Sequence, residues 1–115
     1  MITLYHNPRC SKSRQTLALI EEHNMPVTII KYLDTPPTKS ELNAIIKKLG
    51  ITPRALLRKT EAEYKSLELK NADLTDAQLI DAMVTHPKLI ERPIAIKDTQ
   101  AVLGRPPENV LALLS

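Results

Sequence analysis

The chain has 115 residues, enough for one folded core, and its 43% hydrophobic and 25% charged content excludes a disordered polymer. Aromatics make up only 3%, so the core has to be built from Leu, Ile, Val and Ala. The net charge of +3 suits an anionic substrate, but 16 basic residues are interleaved with 13 acidic ones and no aromatic–basic cluster offers a stacking platform, so no nucleic-acid binding is expected.

In chain order, Met1 to Tyr5 reads as a short strand with Ile2 and Leu4 on one face, and Ser13 to His23 as a helix with Leu17 and Ile20 one turn apart. Val27 to Tyr32 is rich in β-branched residues and reads as a second strand, parallel to the first across a βαβ crossover. Asp34-Thr35-Pro36-Pro37 breaks the pattern. Thr38-Lys39-Ser40-Glu41 is a capping box opening a helix whose stripe is Leu42, Ile45, Ile46 and Leu49, with Gly50 as its stop. Thr52-Pro53 starts a short helical piece to Leu57, and Glu61 to Leu69 is helical but weakly patterned. A second capping box, Thr75 to Gln78, precedes Leu79, Ile80, Met83 and Val84, and His86-Pro87 ends that helix. Pro93 to Lys97 and Ala101 to Leu103 read as strands joined by a tight turn at Asp98-Thr99, and Pro106-Pro107-Glu108 opens a last helix carrying Val110, Leu113 and Leu114.

Cys10 is the only cysteine. It stands where a strand hands over to a helix N-terminus, beside unpaired N–H groups and the positive end of the helix dipole, both of which stabilise a thiolate. Arg9, Lys12, Arg14 and His6 surround it, and no carboxylate lies between Met1 and Ile20. A lone cysteine is commonly an inert apolar residue, but such a residue sits in an apolar run, and this one does not. Cys10-Ser11-Lys12-Ser13 has the spacing of a C-x-x-C redox motif with serine in the second place. The Ser13 hydroxyl either donates to the Cys10 thiolate or serves as a plain first-turn residue. His6 either lowers the Cys10 pKa and shuttles a proton, or is a satisfied histidine at a strand end. His23 and His86 fall at helix C-termini, and no Cys/His spacing fits a metal.

With one cysteine no internal disulfide is possible; no apolar run approaches the ~20 residues of a membrane span, and no secretion signal is visible. A reducing, cytoplasmic setting without membrane attachment is expected.

The run His6-Asn7-Pro8-Arg9-Cys10-Ser11-Lys12-Ser13-Arg14 resembles the active-site loop of the glutaredoxin-coupled arsenate reductases. Arg54-Ala55-Leu56-Leu57-Arg58-Lys59, Glu91-Arg92-Pro93-Ile94 and Gly104-Arg105-Pro106 extend the resemblance, in the same order, over essentially the whole chain. It implies one α/β domain over residues 1–115 with a thioredoxin-like fold, in which βαβ and ββα form a mixed four-stranded sheet with a helical insertion at about 38–86. It also implies that Arg58, Arg92 and Arg105 bind arsenate and stabilise a cysteine–arsenic adduct, with Arg54 and Arg14 in reserve. Their chemistry agrees: a tetrahedral oxyanion needs converging, permanently charged, multi-donor groups. A surface ion pair is the ordinary fate of an arginine, and the motif context argues against it here. The resemblance further implies a cis peptide at Pro93, arsenate as substrate, glutathione as co-substrate, glutaredoxin as partner, and no bound cofactor. The rival readings are a non-catalytic stress regulator of the Spx kind and a thiol-transferase relative acting on another oxyanion or a glutathione adduct. The C-x-x-S motif and the retained arginines favour the enzyme.

Overall fold

The computed structural model describes residues 1–114. Two compact units make up the chain: one contains Met1–Thr35 and the segment from Arg92 onward, the other Pro36–Glu91.

The first unit is built on a four-stranded sheet of order β2-β1-β3-β4, with β1 Ile2–Tyr5, β2 Val27–Ile30, β3 Ile94–Lys97 and β4 Gln100–Leu103. β1 runs parallel to β2, with Ile2 opposite Val27, and antiparallel to β3, with Leu4 opposite Ala95. β3 and β4 form the expected hairpin, turned at Asp98, whose φ is +56°. Helix α1, Ser11–Glu22, supplies the βαβ crossover. It packs with a 3-10 helix, Pro107–Leu113, and Ile2, Leu4, Ile20, Ala95, Val110 and Leu113 form one buried cluster. Alternation along β1 sends Ile2 and Leu4 into that cluster, as their spacing predicts.

The last element is a 3-10 helix where a regular α-helix was expected. Pro107, Val110 and Leu113 are all buried at intervals of three, which align on one edge at three residues per turn. Its ends bond i to i+3, Asn109 N–H to Pro106 O at 3.0 Å and Leu114 N–H to Leu111 O at 3.1 Å.

The second unit is the helical insertion: α2 Lys39–Leu49, α3 Pro53–Leu56, α4 Ala62–Ser66, α5 Asp76–Thr85 and a 3-10 turn, Pro87–Leu89. Both capping boxes form, Thr38 with Glu41 and Thr75 with Gln78, and Gly50 closes α2 in the left-handed region at φ +70°. α5 packs against α2, α3 and the 3-10 turn, burying Leu42, Ile45, Leu56, Leu79, Met83 and Leu89. α4 is shorter than its sequence suggests because Glu68 turns left-handed at φ +53° and redirects the chain so that Leu69 is buried. No helix among the described residues is long and apolar enough to cross a membrane.

Candidate active site

Cys10 is the N-cap of α1 in extended conformation, partly exposed at the end of the loop from β1. Asn7 and Pro8 shape this loop. The Asn7 carbonyl accepts from Cys10 N–H at 3.0 Å, and its side-chain oxygen accepts from Arg9 N–H at 3.0 Å. This is an Asx turn that fixes where the thiol enters the helix. Asn7 is buried, and the Asn-Pro pair ahead of the cysteine is the sequence signal for this turn.

Burial pushes the Cys10 thiol up, but hydrogen bonds to the sulfur from Ser13 N–H, the Arg92 side chain and Lys12 N–H outweigh it, with the Arg92 charge adding to them. The net result is a pKa below that of an ordinary thiol. The expected thiolate is therefore favoured by the helix N-terminus and by Arg92, which is remote in sequence. Arg14 instead donates to the Pro8 carbonyl at 2.9 Å and braces the loop.

Ser13 is wholly buried, and its two chemical functions are divided. Its N–H faces the thiolate, while its hydroxyl accepts from Asn7 N–H at 3.0 Å and lies 2.6 Å from His6 Nδ1. The hydroxyl therefore locks the loop from beneath. His6 is buried at the end of β1, and desolvation, then the charges of Lys31 and Arg14, hold its pKa below the usual imidazole value. Burial and these cationic neighbours disfavour the imidazolium, so support of the thiolate does not rest on a charge at His6.

Arg92 and Arg105 lie in the same unit as Cys10. Both peptide bonds that follow them, Arg92-Pro93 and Arg105-Pro106, are cis, and Arg105 Nη1 donates to the Arg92 carbonyl at 3.3 Å. Gly104 makes this pairing possible. Its N–H donates to Pro93 O at 2.9 Å, and a Cβ there would stand 2.7 Å from Pro93 Cγ and closer still to Thr16 Oγ1. Thr16, on α1 and wholly buried, donates to Lys12 O at 2.9 Å and lies 3.4 Å from Gly104 O. One contact thus ties α1, the Pro93 loop and the Arg105 loop together. Gly104→Ala is expected to lower the urea midpoint and to disturb the Arg92–Arg105 contact, because a Cβ so close to Thr16 and Pro93 forces one of them to shift. Wild-type unfolding in that variant would contradict the packing.

Arg58 belongs to the other unit. Its Nη1 bonds Glu91 Oε1 at 3.1 Å, its Nε lies 3.6 Å from Glu61 Oε1, and its N–H donates to Leu89 O at 2.7 Å. Arg54 is committed to structure, donating to Leu69 O at 2.8 Å and Asn71 O at 2.9 Å, which holds the chain after α4. Among the described residues no group of His, Cys, Asp and Glu could hold a metal ion.

A helix-capping thiolate with a guanidinium on its sulfur and a second one bonded alongside is a nucleophile fitted to a small oxyanion. The model of the ArsC family matches residues 5–113. The arsenate reductase of Neisseria meningitidis serogroup A is 46% identical over 114 residues, covering 98% of this chain and 97% of that protein. The arsenate reductase of Haemophilus influenzae is 48% identical over 114 residues, covering 98% of both. In three dimensions the arsenate reductase from Vibrio cholerae superposes with a TM-score of 0.94 at 49% identity, covering 96% of this chain and 95% of that one. The thiolate loop, the two Arg-Pro peptides and the sheet that carries them thus sit in a chain that belongs to the ArsC family.

Proposed function

We propose that this protein reduces arsenate to arsenite with Cys10 as nucleophile and glutathione and glutaredoxin as electron donors. The observation that carries the reading is the Cys10 sulfur held by two helix N–H groups and by Arg92. Relatives named arsenate reductase, matched over 98% of this chain, support the substrate.

The thiolate attacks arsenic(V) to form a sulfur–arsenic bond, one arsenate oxygen protonated from solvent leaves as water, and the negative charge on the remaining oxygens is balanced by the Arg92 and Arg105 guanidinium groups. Reduction then needs a second thiol. The chain contains no other cysteine, and Ser13 occupies the place where a resolving cysteine would stand. Glutathione therefore attacks: a sulfur–sulfur bond forms to Cys10, the sulfur–arsenic bond breaks, and its electron pair leaves with arsenic as arsenite. Two thiols have become one disulfide while arsenate has gained two electrons. A glutaredoxin thiolate then takes the glutathionyl group and regenerates Cys10.

Arsenate and glutathione without glutaredoxin are expected to leave one glutathione on Cys10, visible as a mass increase in the intact protein. Adding glutaredoxin converts that single event into continuous arsenite release. Continuous turnover with thioredoxin in place of both donors would overturn the glutathione step. Absence of arsenite under every thiol donor would overturn the substrate.

A further inference from the structure

The loop leading to Cys10 also lines a cavity of about 300 Å³, completed by Lys31, Leu33 and Asp34 from the segment after β2. The charges there are mixed: Arg9 and Lys31 are cationic and Asp34 is anionic, set against the His6 ring and the apolar surfaces of Pro8 and Leu33. Among the described residues no ion pair engages Arg9, Lys31 or Asp34, so the fold leaves these charges open to a ligand. We infer that this cavity is the seat of the thiol co-substrate, with the amino-acid end of glutathione's γ-glutamyl group held by Lys31 and Asp34.

The assignment rests on the reaction proposed above, and three features specify the ligand. The volume lies at the small-molecule end of binding pockets, roughly 300 Å³ and upward, and exceeds what a tetrahedral oxyanion fills. The paired signs match a zwitterion, whose carboxylate meets Lys31 and Arg9 and whose ammonium meets Asp34, whereas a bare oxyanion would be repelled by Asp34. The reach is adequate: the lining ends at Arg9, one residue and about 3.8 Å of chain from Cys10, while an extended tripeptide spans about 10 Å. A thiol anchored by its charged end can therefore place sulfur at Cys10 without entering the space beside Arg92 and Arg105. Anchoring of this kind converts an encounter from solution into an oriented attack.

S-methylglutathione, which binds without reacting, titrated into the ¹⁵N-labelled protein should shift the amide resonances of Lys31, Leu33 and Asp34. Lys31→Ala and Asp34→Ala should each weaken that binding roughly tenfold, the loss of one charge-assisted contact. In turnover each should raise KM for glutathione by a similar factor. The rate driven by β-mercaptoethanol, which has no charged end, should stay within about twofold of wild type. Unmoved resonances overturn the cavity assignment. So does an equal loss with both thiols, which would mean that the two residues act on Cys10 and not on the ligand. If no thiol drives arsenate reduction in the wild type, the reaction falls, and the S-methylglutathione titration still decides the cavity.

Discussion

Serine at position 10 is expected to bring arsenate turnover to the background rate, a loss of about 10³-fold or more, as when other nucleophiles are removed. The substitution replaces one atom. A serine hydroxyl stays protonated at neutral pH, and its oxygen can form no disulfide, so both steps of the proposed mechanism, attack on arsenic and exchange with glutathione, should be lost together. Structure should survive, because Cys10 is the N-cap of α1 and serine is among the preferred residues there. Cys10→Ser should therefore unfold in urea at or slightly above the wild-type midpoint while showing no glutathione adduct by mass. Turnover retained by this variant would overturn the whole mechanism. Lost turnover accompanied by lost folding would mean that the thiol holds the loop together, which its partial exposure argues against.

Much of this architecture is written locally. The two capping boxes, Gly50 and the β-branched run at Val27 are signals carried by neighbouring residues, and each element formed where those signals lie. What the sequence did not yield depends on distance. The basic residues beside Cys10 suggested that its charge comes from Arg9, Lys12, Arg14 and His6, yet the side chain that reaches the sulfur is Arg92, brought there by the pairing of β3 with β1. Ser13 showed its spacing but not its division of labour, because only the folded loop places the hydroxyl against His6 and the N–H against the thiolate. Gly104 gave no hint of crowding, since its constraint comes from Thr16, 88 positions earlier. The final helix forms where Pro106-Pro107-Glu108 marks its start, and its 3-10 type is set locally, by Pro107, Val110 and Leu113 buried at intervals of three.

Arg92→Ala should produce the second-largest loss, and its form distinguishes the two duties of this side chain. The guanidinium hydrogen-bonds to the Cys10 sulfur and adds its charge beside it, while burial of the thiol pulls the other way. Removing Arg92 leaves the thiol's burial opposed only by the two backbone N–H groups, so the Cys10 pKa must rise. A raised thiol pKa lowers the thiolate fraction at pH 7, so the rate falls there and recovers as pH increases. The ascending limb of the pH–rate profile is thus displaced to higher pH, and the alkylation rate of Cys10 should be displaced equally. If Arg92 acted only on the thiol, high pH would restore wild-type turnover. In the proposed mechanism it also balances charge on the oxyanion, so a pH-independent deficit of about 10² should remain at the plateau, the size typical of losing one preorganised donor. Arg105→Ala should show the plateau deficit with an unshifted limb, since its Nη1 is bonded to the Arg92 carbonyl and it is not among the groups on the sulfur. Wild-type alkylation profiles in Arg92→Ala would remove this residue from the thiolate. Complete recovery of its turnover at high pH would remove it from the oxyanion.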